Sequence, residues 1–494
     1  MADRDDFVSE LTDQEDNFSR WYTDVVRKAK LADYSPVRGS MVIRPYGYAL
    51  WENMQALLDR RFKETGHVNA YFPLLVPESL LNKEAEHVEG FAPEVAWVTH
   101  AGKEKLEERY CIRPTSEAII GEVYSKWIDS WRDLPLLINQ WCNVMRWEKV
   151  TRLFLRTSEF LWQEGHTVHA TEDEAEEETR RMLGVYKDFI ETELAIPIWA
   201  GQKTEKEKFA GALRTYSVEA LLRDGKALQA GTSHNLGQHF AKVFDITFQD
   251  RDGVRKFAWQ TSWGVSTRLI GALIMAHGDD SGLMLPPNVA PIQVVIVPIW
   301  RKDEDKARVL EMVDRVLGIL KPVCRVQADT DDNNTPGWKY NEYELKGVPL
   351  RMEIGPRDVQ NEAVMVVPRI DRSKKESVPV ADLAARIPAL LAEAQRNLFE
   401  RALQFRRQNT YEIATWEEFI DVFPLREAGQ ETPEGSRRGF VWADWCGVTD
   451  CEQKIQDQTK ATIRCMPLDR PAAAGKCVHC GGEGKEHVLF ARAY

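Results

Sequence analysis

A chain of 494 residues, 43% apolar and 29% charged, has too much buriable surface for a disordered protein and too much length for one ordinary core, so about three domains are expected. No apolar run reaches the roughly 18–20 residues that span a bilayer; the best, Val289 to Trp300, is broken by prolines and Gln293. The formal net charge of -12 excludes a generic nucleic-acid coat, because a field of one sign repels a polyanion unless the surface is divided. Much of the acidity is local. Acids crowd the first sixteen positions and the run Glu172, Asp173, Glu174, Glu176, Glu177, Glu178, both read as solvated surface. The remainder carries basic clusters at Arg401, Arg406, Arg407 and at Arg437, Arg438, which leave a nucleic-acid partner open. The acidic start MADRDDFVSE lacks the basic and apolar stretches of an export signal, so a cytoplasmic location is expected.

From Pro45 to Phe62, Tyr46, Leu50, Met54, Leu57, Leu58 and Phe62 recur at helical spacing behind an N-terminal proline, predicting an amphipathic helix. The stretch VNAYFPLLVP after Gly66 reads as an edge strand, with prolines where a ladder can spare a donor. Leu136 to Trp147 and Arg156 to His169 form a predicted antiparallel hairpin around a charged turn. Ala258 to Trp263 leads through Gly264 into the helix-like STRLIGALIMAHG. Strands followed by a helix in this order imply a mixed antiparallel α+β domain over 1–287. The proline-dense LMLPPNVAP reads as a linker with a boundary near 287. Beyond it, IQVVIVPI, a helix over Asp303 to Leu320, strands over Val348 to Ile354 and Ala363 to Val367, and a final helix with Leu383, Ile387, Leu390, Leu391, Ala394 and Leu398 on one face imply a small α/β domain over 288–404. Aromatic, Cys and Gly residues dominate a third region, 405–494.

Two sets of residues carry chemistry. Arg146 and Glu148 flank Trp147 on a predicted strand, whose two-residue period puts both charges on one face. By spacing alone a cross-strand ion pair is the simpler account, but an arginine fork also suits a phosphate or carboxylate. In the last region, Cys446-x4-Cys451 and Cys477-x2-Cys480 form two thiolate pairs suited to a tetrahedral, structural Zn²⁺. Cys465 or His479 can replace one of the four.

The runs RPTSEA (Arg113 to Ala118), NVMRWE, LRTSEFLWQEGHT, LQAGTSHNLGQHF and WQTSWGVSTRLIGALIMAHGDD, in this order, resemble the prolyl-tRNA synthetases, class II aminoacyl-tRNA synthetases of the archaeal and eukaryotic-like type. TGHVNAYFPLLVP resembles motif 1, the dimer-forming element; MRWE with its hairpin resembles motif 2; GVSTRLIG resembles motif 3, with Ser266 where Thr is frequent. Neither class I signatures nor a Walker-type phosphate loop occurs. The resemblance implies a class II antiparallel-sheet catalytic domain, an α/β anticodon-binding domain and a C-terminal zinc-binding α+β domain. It further implies a homodimer that joins L-proline to ATP as prolyl-adenylate, with Mg²⁺, and then to tRNA(Pro).

By the same resemblance, Arg146 and Arg268 are the catalytic cations. Thr115, Glu117, Arg146 and His234 contact proline, and Phe91, Trp162, Glu164 and His166 wall or support its pocket. Arg146, Glu148, Arg156, Thr157, Gln229, Thr232, Ser266 and Arg268 line the ATP site. Gly337 to Asp358 matches the anticodon domain, with Glu344 and Arg351 as candidate readers of guanine edges. The C-terminal Tyr494 is expected to direct its carboxylate toward the active site. The large editing insertion of bacterial-type relatives is missing between Thr157 and Gly264, so a separate protein is expected to hydrolyse mischarged tRNA, since each missing carbon offers only about 1–3 kcal/mol of discrimination. A catalytically silent RNA-binding scaffold, or a synthetase for threonine or glycine, are the alternatives that the residues leave open.

Overall fold

The chain was analysed as a computed structural model, which describes residues 11–85, 94–425, 438–469 and 472–494. Helix α1 (Gln14–Lys28) is capped by Asp13, and helix α2 (Pro45–Glu64) starts on its proline and buries Leu50, Trp51, Met54, Leu58 and Phe62. Burying such side chains stabilises by about 1.5–3 kcal/mol each, and this stripe lies against the main sheet, where the Phe62 and Trp263 rings are 5.0 Å apart.

That sheet is built from β1 (Val68–Asn69), β2 (Leu136–Met145), β3 (Glu159–His169), β4 (Ile198–Gln202), β5 (Arg214–Leu221), β6 (Ala227–Gly237) and β7 (Trp259–Ser266). Between them run α3 (Glu117–Trp127) and α4 (Glu172–Thr192), and after β7 comes α5 (Arg268–His277). The order is β4-β5-β6-β7-β3-β2-β1, antiparallel except that β1 runs parallel to β2 at the edge. Gly165 on β3 is a packing requirement: a Cβ there would fall 2.1 Å from the Trp263 ring.

The α/β domain has β8 (Val294–Pro298), α6 (Asp303–Leu320), β9 (Val326–Ala328), α7 (Pro336–Leu345), β10 (Leu350–Ile354), β11 (Ala363–Pro368), β12 (Glu376–Pro379) and α8 (Leu383–Gln408). Its sheet order is β9-β8-β10-β11-β12, parallel over the first three strands and antiparallel over the rest. The C-terminal module adds β13 (Thr410–Glu412), β14 (Phe440–Trp445), α9 (Thr449–Thr459), β15 (Thr462–Pro467) and β16 (Glu486–Ala491).

β15 pairs with β4 through Met466 and Gln202, so the C-terminal strands extend the catalytic sheet to eleven strands. Three sequence expectations are corrected. The proline-dense segment is no free linker: Leu283, Leu285, Val289 and Ala290 are buried, and the Leu283 and Leu285 N–H groups donate to Leu345 and Gly347 carbonyls at 3.0 and 3.1 Å. The acidic run is only partly solvated. Its first turn caps α4 with Thr171 and Glu174, but Glu178 is buried against His67 at 2.9 Å and Arg181 at 2.8 Å. Finally, Arg401 and Arg406 are consumed within the molecule, bonding to the carbonyls of His277 and Ile198. No helix among the described residues is long and apolar enough to cross a membrane.

Candidate active site

Strand register brings the candidate residues together. Trp162, Glu164 and His166 alternate along β3 and face Ser266, Gly264 and Ser262 of β7 in that order. Gly264 and Ser262 in turn oppose Thr232 and His234 of β6, and His234 opposes Thr215 of β5. Even-numbered positions therefore make one face across β3, β7 and most of β6. Gln229 breaks the parity and still reaches this face, because the pairing slips between Val218 and Glu219 and leaves Ala230 as an extra residue, a β-bulge that shifts the alternation by one.

The result is a cavity of about 340 Å³ lined by Thr115, Glu117, Arg146, Glu148, Arg156, Thr157, Trp162, Glu164, His166, Gln229, Thr232, His234, Ser266 and Arg268. Of the residues expected in the catalytic domain, only Phe91 is not among them; it lies outside the described residues. Phe160, Glu207, Phe209 and Thr215 also line the cavity and were missed. Phe160 is legible in retrospect, two positions before Trp162 on the same strand face. Phe209, whose ring lies 4.8 Å from His234, sits on a loop and has no such signal.

One expectation about Arg146 and Glu148 fails. β2 ends at Met145, so both residues lie on the loop beyond it rather than on the strand, and Glu148 pairs across the hairpin with Arg156 at 2.7 Å. Arg146 instead donates from Nε to the Pro114 carbonyl at 2.9 Å and lies over the Phe160 and Trp162 rings at 5.6 and 5.3 Å. Arg268, the first residue of α5, donates from Nε to the Leu155 carbonyl at 3.1 Å. Burial depresses both guanidinium pKa values, and Arg146 and Arg156 push that of Arg268 down further. Three cations thus converge on one cavity, and two of them form no ion pair among the described residues, an arrangement that favours a multiply charged anion.

The other end of the cavity is acidic and hydrogen-bonded. Thr115 donates to Glu117, the first residue of α3. Glu164 is nearly buried and accepts from Ser116, from Gln140 at 2.9 Å and from His166 at 3.0 Å. Burial opposes charge at Glu164, yet these bonds hold its carboxyl below the ordinary value and hold His166 above its own. His234 is the reverse: its two ring nitrogens meet Thr215 and Thr232 hydroxyls at 3.0 Å each, and burial with the nearby His166 lowers it to about 3. A carboxylate and hydroxyls beside aromatic rings suit a small ligand with an ammonium and an apolar body.

Elsewhere, Glu344 and Arg351 line one small surface cavity, with Glu344 paired to Arg372 and Arg351 over the Tyr340 ring at 4.0 Å. The Sγ atoms of Cys446, Cys451, Cys477 and Cys480 lie within 4.8 Å of one another, and those of Cys451 and Cys477 are 3.7 Å apart. Zn–S bonds of about 2.3 Å set tetrahedral S···S edges of about 3.8 Å, so the donor set fits. Cys465 is buried on β15 outside the cluster, whereas His479 Nδ1 lies 3.5 Å from Cys451 Sγ. Tyr494 does not line the active-site cavity but a second one beside it.

An antiparallel sheet with one guanidinium in the loop of a hairpin and another at the head of the helix after β7, joined to an α/β domain, defines a class II aminoacyl-tRNA synthetase. Residues 97–277 match the tRNA synthetase class II core domain (G, H, P, S and T), 293–390 the anticodon binding domain, and 433–494 the prolyl-tRNA synthetase C-terminal domain. The proline–tRNA ligase of Natranaerobius thermophilus is 57% identical over 492 residues, covering 99% of each chain. Proline–tRNA ligase 2 of Clostridioides difficile is 57% identical over 489 residues, 99% of this chain and 98% of that one. The crystal structure of Cryptosporidium parvum prolyl-tRNA synthetase complexed with halofuginone and AMPPNP is 40% identical, with a TM-score of 0.92 over 100% of this chain and 99% of that one. The chain belongs to the prolyl-tRNA synthetase family.

Proposed function

We propose that this chain is a proline–tRNA ligase that converts L-proline and ATP, entering as its Mg²⁺ complex, to prolyl-adenylate and pyrophosphate, then transfers proline to the 3′ end of tRNA(Pro). The observation that carries this reading is the pairing of a cationic end, where Arg146 and Arg268 form no ion pair among the described residues, with an acidic end at Thr115 and Glu117, in one cavity. Attack of the proline carboxylate on the α-phosphate needs alignment and charge neutralisation rather than a covalent nucleophile. Arg146 sits between the two ends, so it holds both the carboxylate and the α-phosphate. Arg268 holds the distal phosphates at a helix start, where the macrodipole adds to its charge. Glu148, Arg156, Thr157, Gln229, Thr232 and Ser266 surround the nucleotide. Thr115, Glu117 and His234 receive proline, with Trp162 as wall and the Ser116–Gln140–Glu164–His166 network as support. Arg146→Ala should remove proline-dependent ATP–pyrophosphate exchange by at least about 100-fold, the scale of losing one preorganised charge contact; near-normal exchange would overturn the assignment.

The remaining roles belong to the same reading. Cys446, Cys451, Cys477 and Cys480 would hold Zn²⁺, which when bound cross-links the loop before α9 and the first turn of α9 to the turn before β16. Glu344 and Arg351 read the anticodon. The divisions 1–287, 288–404 and 405–494 separate these tasks. Two chains associate through α2 and the β1 edge, where Tyr48, Val68 and Tyr71 are 43%, 60% and 71% exposed, and sedimentation at a dimer's mass tests it. The enzyme works in the cytoplasm, with hydrolysis of mischarged tRNA left to a separate protein.

A further inference from the structure

A second cavity, of about 440 Å³, lies at the seam between the catalytic domain and the C-terminal module. Among the described residues its lining includes Arg152, Lys226, Arg438 and Arg492 against one acid, Asp224, in a chain whose formal net charge is -12. Asp224 is already engaged: it accepts from the Tyr494 hydroxyl and lies 3.4 Å from Lys226 Nζ. The Tyr494 ring holds Lys226 at 4.5 Å and Arg152 at 5.4 Å from its centroid, which orients both cations without neutralising either. Arg152 Nε is buried without a hydrogen-bond partner. Arg438 is exposed and forms no ion pair among the described residues. Arg492 donates to the carbonyls of Thr459 and Pro424 at 2.9 and 2.8 Å, which fixes its position in the lining.

Two elements run from this cavity to the active site. The hairpin closed by the Arg152 and Arg156 bridge puts Arg152 in one cavity and Phe154, Leu155 and Arg156 in the other. Likewise Lys226 lies just before β6, whose Gln229 lines the active site. A cationic recess sharing two walls with the nucleotide cavity suits a polyanion that must extend into that cavity. Fixed cations along a strand are how proteins track a nucleic-acid backbone.

We propose that this recess binds phosphodiester groups of the tRNA strand whose 3′ end enters the active site, so that the C-terminal module, through Arg438, contributes directly to substrate RNA binding. The proposal rests on the tRNA-charging reading above. It is tested with the full-length enzyme and a tRNA(Pro) transcript, using Arg438→Glu, Arg438→Lys and Lys226→Gln. Arg438→Glu should raise KM for tRNA at least tenfold with proline-dependent pyrophosphate exchange unchanged. Lys226→Gln should raise it severalfold, and Arg438→Lys should stay near wild type. The slope of log affinity against log salt should fall by about 0.7–0.9 for each phosphate that is no longer neutralised. Unchanged KM and slope in Arg438→Glu and Lys226→Gln would overturn the proposal. Because free phosphate shares this chemistry, inorganic pyrophosphate is also titrated calorimetrically into enzyme whose active site is filled by a prolyl-sulfamoyl adenosine. Binding that Arg438→Glu abolishes, with KM for tRNA unaltered, would assign the recess to a small anion and refute the tRNA assignment. Loss of exchange in the wild-type chain would instead defeat the synthetase reading itself.

Discussion

Arg464→Met probes how the C-terminal module is locked to the catalytic sheet. Glu219 on β5 is fully buried and accepts from Ser217 Oγ at 2.8 Å, Lys203 Nζ at 2.8 Å, and Arg464 Nε and a terminal nitrogen at 3.1 and 3.0 Å. Lys203 also donates to the Arg464 carbonyl at 2.6 Å. The substitution removes two hydrogen bonds between charged groups, worth about 1.5–3 kcal/mol each, and leaves a buried carboxylate with one cation. Breaking a buried pair costs about 3–5 kcal/mol, so the β15–β4 junction should open roughly 100- to 4,000-fold more often. The assay is native-state hydrogen exchange at the Gln202 and Met466 amides, which bracket the junction. Replacing the whole cluster, with Lys203→Met, Glu219→Leu and Arg464→Met together, should recover much of the loss, since no buried charge is then stranded. Exchange in Arg464→Met within fivefold of wild type would refute this reasoning. The pH dependence has a definite sign. Burial alone would raise the Glu219 carboxyl, but Arg464 and Lys203 lower it below 4.5, so its stabilisation is complete above that pH and is lost as the medium acidifies through the folded value.

The two active-site histidines should titrate in opposite directions. His234, held at about 3 against an ordinary 6.5, stays neutral at pH 5, and its contribution to stability is whole above pH 6.5 and declines below it. His166, lowered by burial but raised further by Glu164 to a value above 6.5, contributes fully below pH 6.5 and loses that contribution as pH rises through its folded value. Ring ¹⁵N shifts should show His166 protonated and His234 neutral at pH 6; the reverse pattern contradicts both environments. Purified protein should contain about one zinc per chain, and Cys451→Ser should lower that content and destabilise the C-terminal module in urea; metal content near zero in freshly purified wild type would count against the site. Glu344→Ala and Arg351→Ala should each raise KM for tRNA(Pro) about tenfold, or about 1.4 kcal/mol, while leaving exchange intact, and wild-type charging kinetics would remove both residues from anticodon reading.

Periodicity alone made much of the fold legible. The apolar stripe of α2, the β2–β3 hairpin and β8, α6, β10, β11 and α8 follow from spacing, whereas spacing leaves the short β9 and α7 unread, and the class II architecture comes from the family resemblance of the ordered motifs. Trp162, Glu164 and His166 come from the family resemblance, and the register of β3 with β7 shows why they share one face. What stayed hidden depends on events that parity does not encode. The bulge at Ala230 moves Gln229 onto the active face. β2 stops one residue before Arg146, which frees that side chain from strand alternation. The pairing of β15 with β4 joins residues more than 260 positions apart, and no local pattern announces it. Glu178 reads as surface within an acidic run, but the helical period turns it inward to meet His67.

The central claim is that a cationic cleft and an acidic, hydroxyl-lined pocket act on one pair of substrates. ATP–pyrophosphate exchange by the purified chain, measured with each standard amino acid in turn, tests it most directly. The account predicts exchange with proline well above every other amino acid, with alanine and cysteine next because they fit the same pocket with fewer or similar contacts. Exchange that peaks with threonine or glycine, or none with any amino acid, would contradict it.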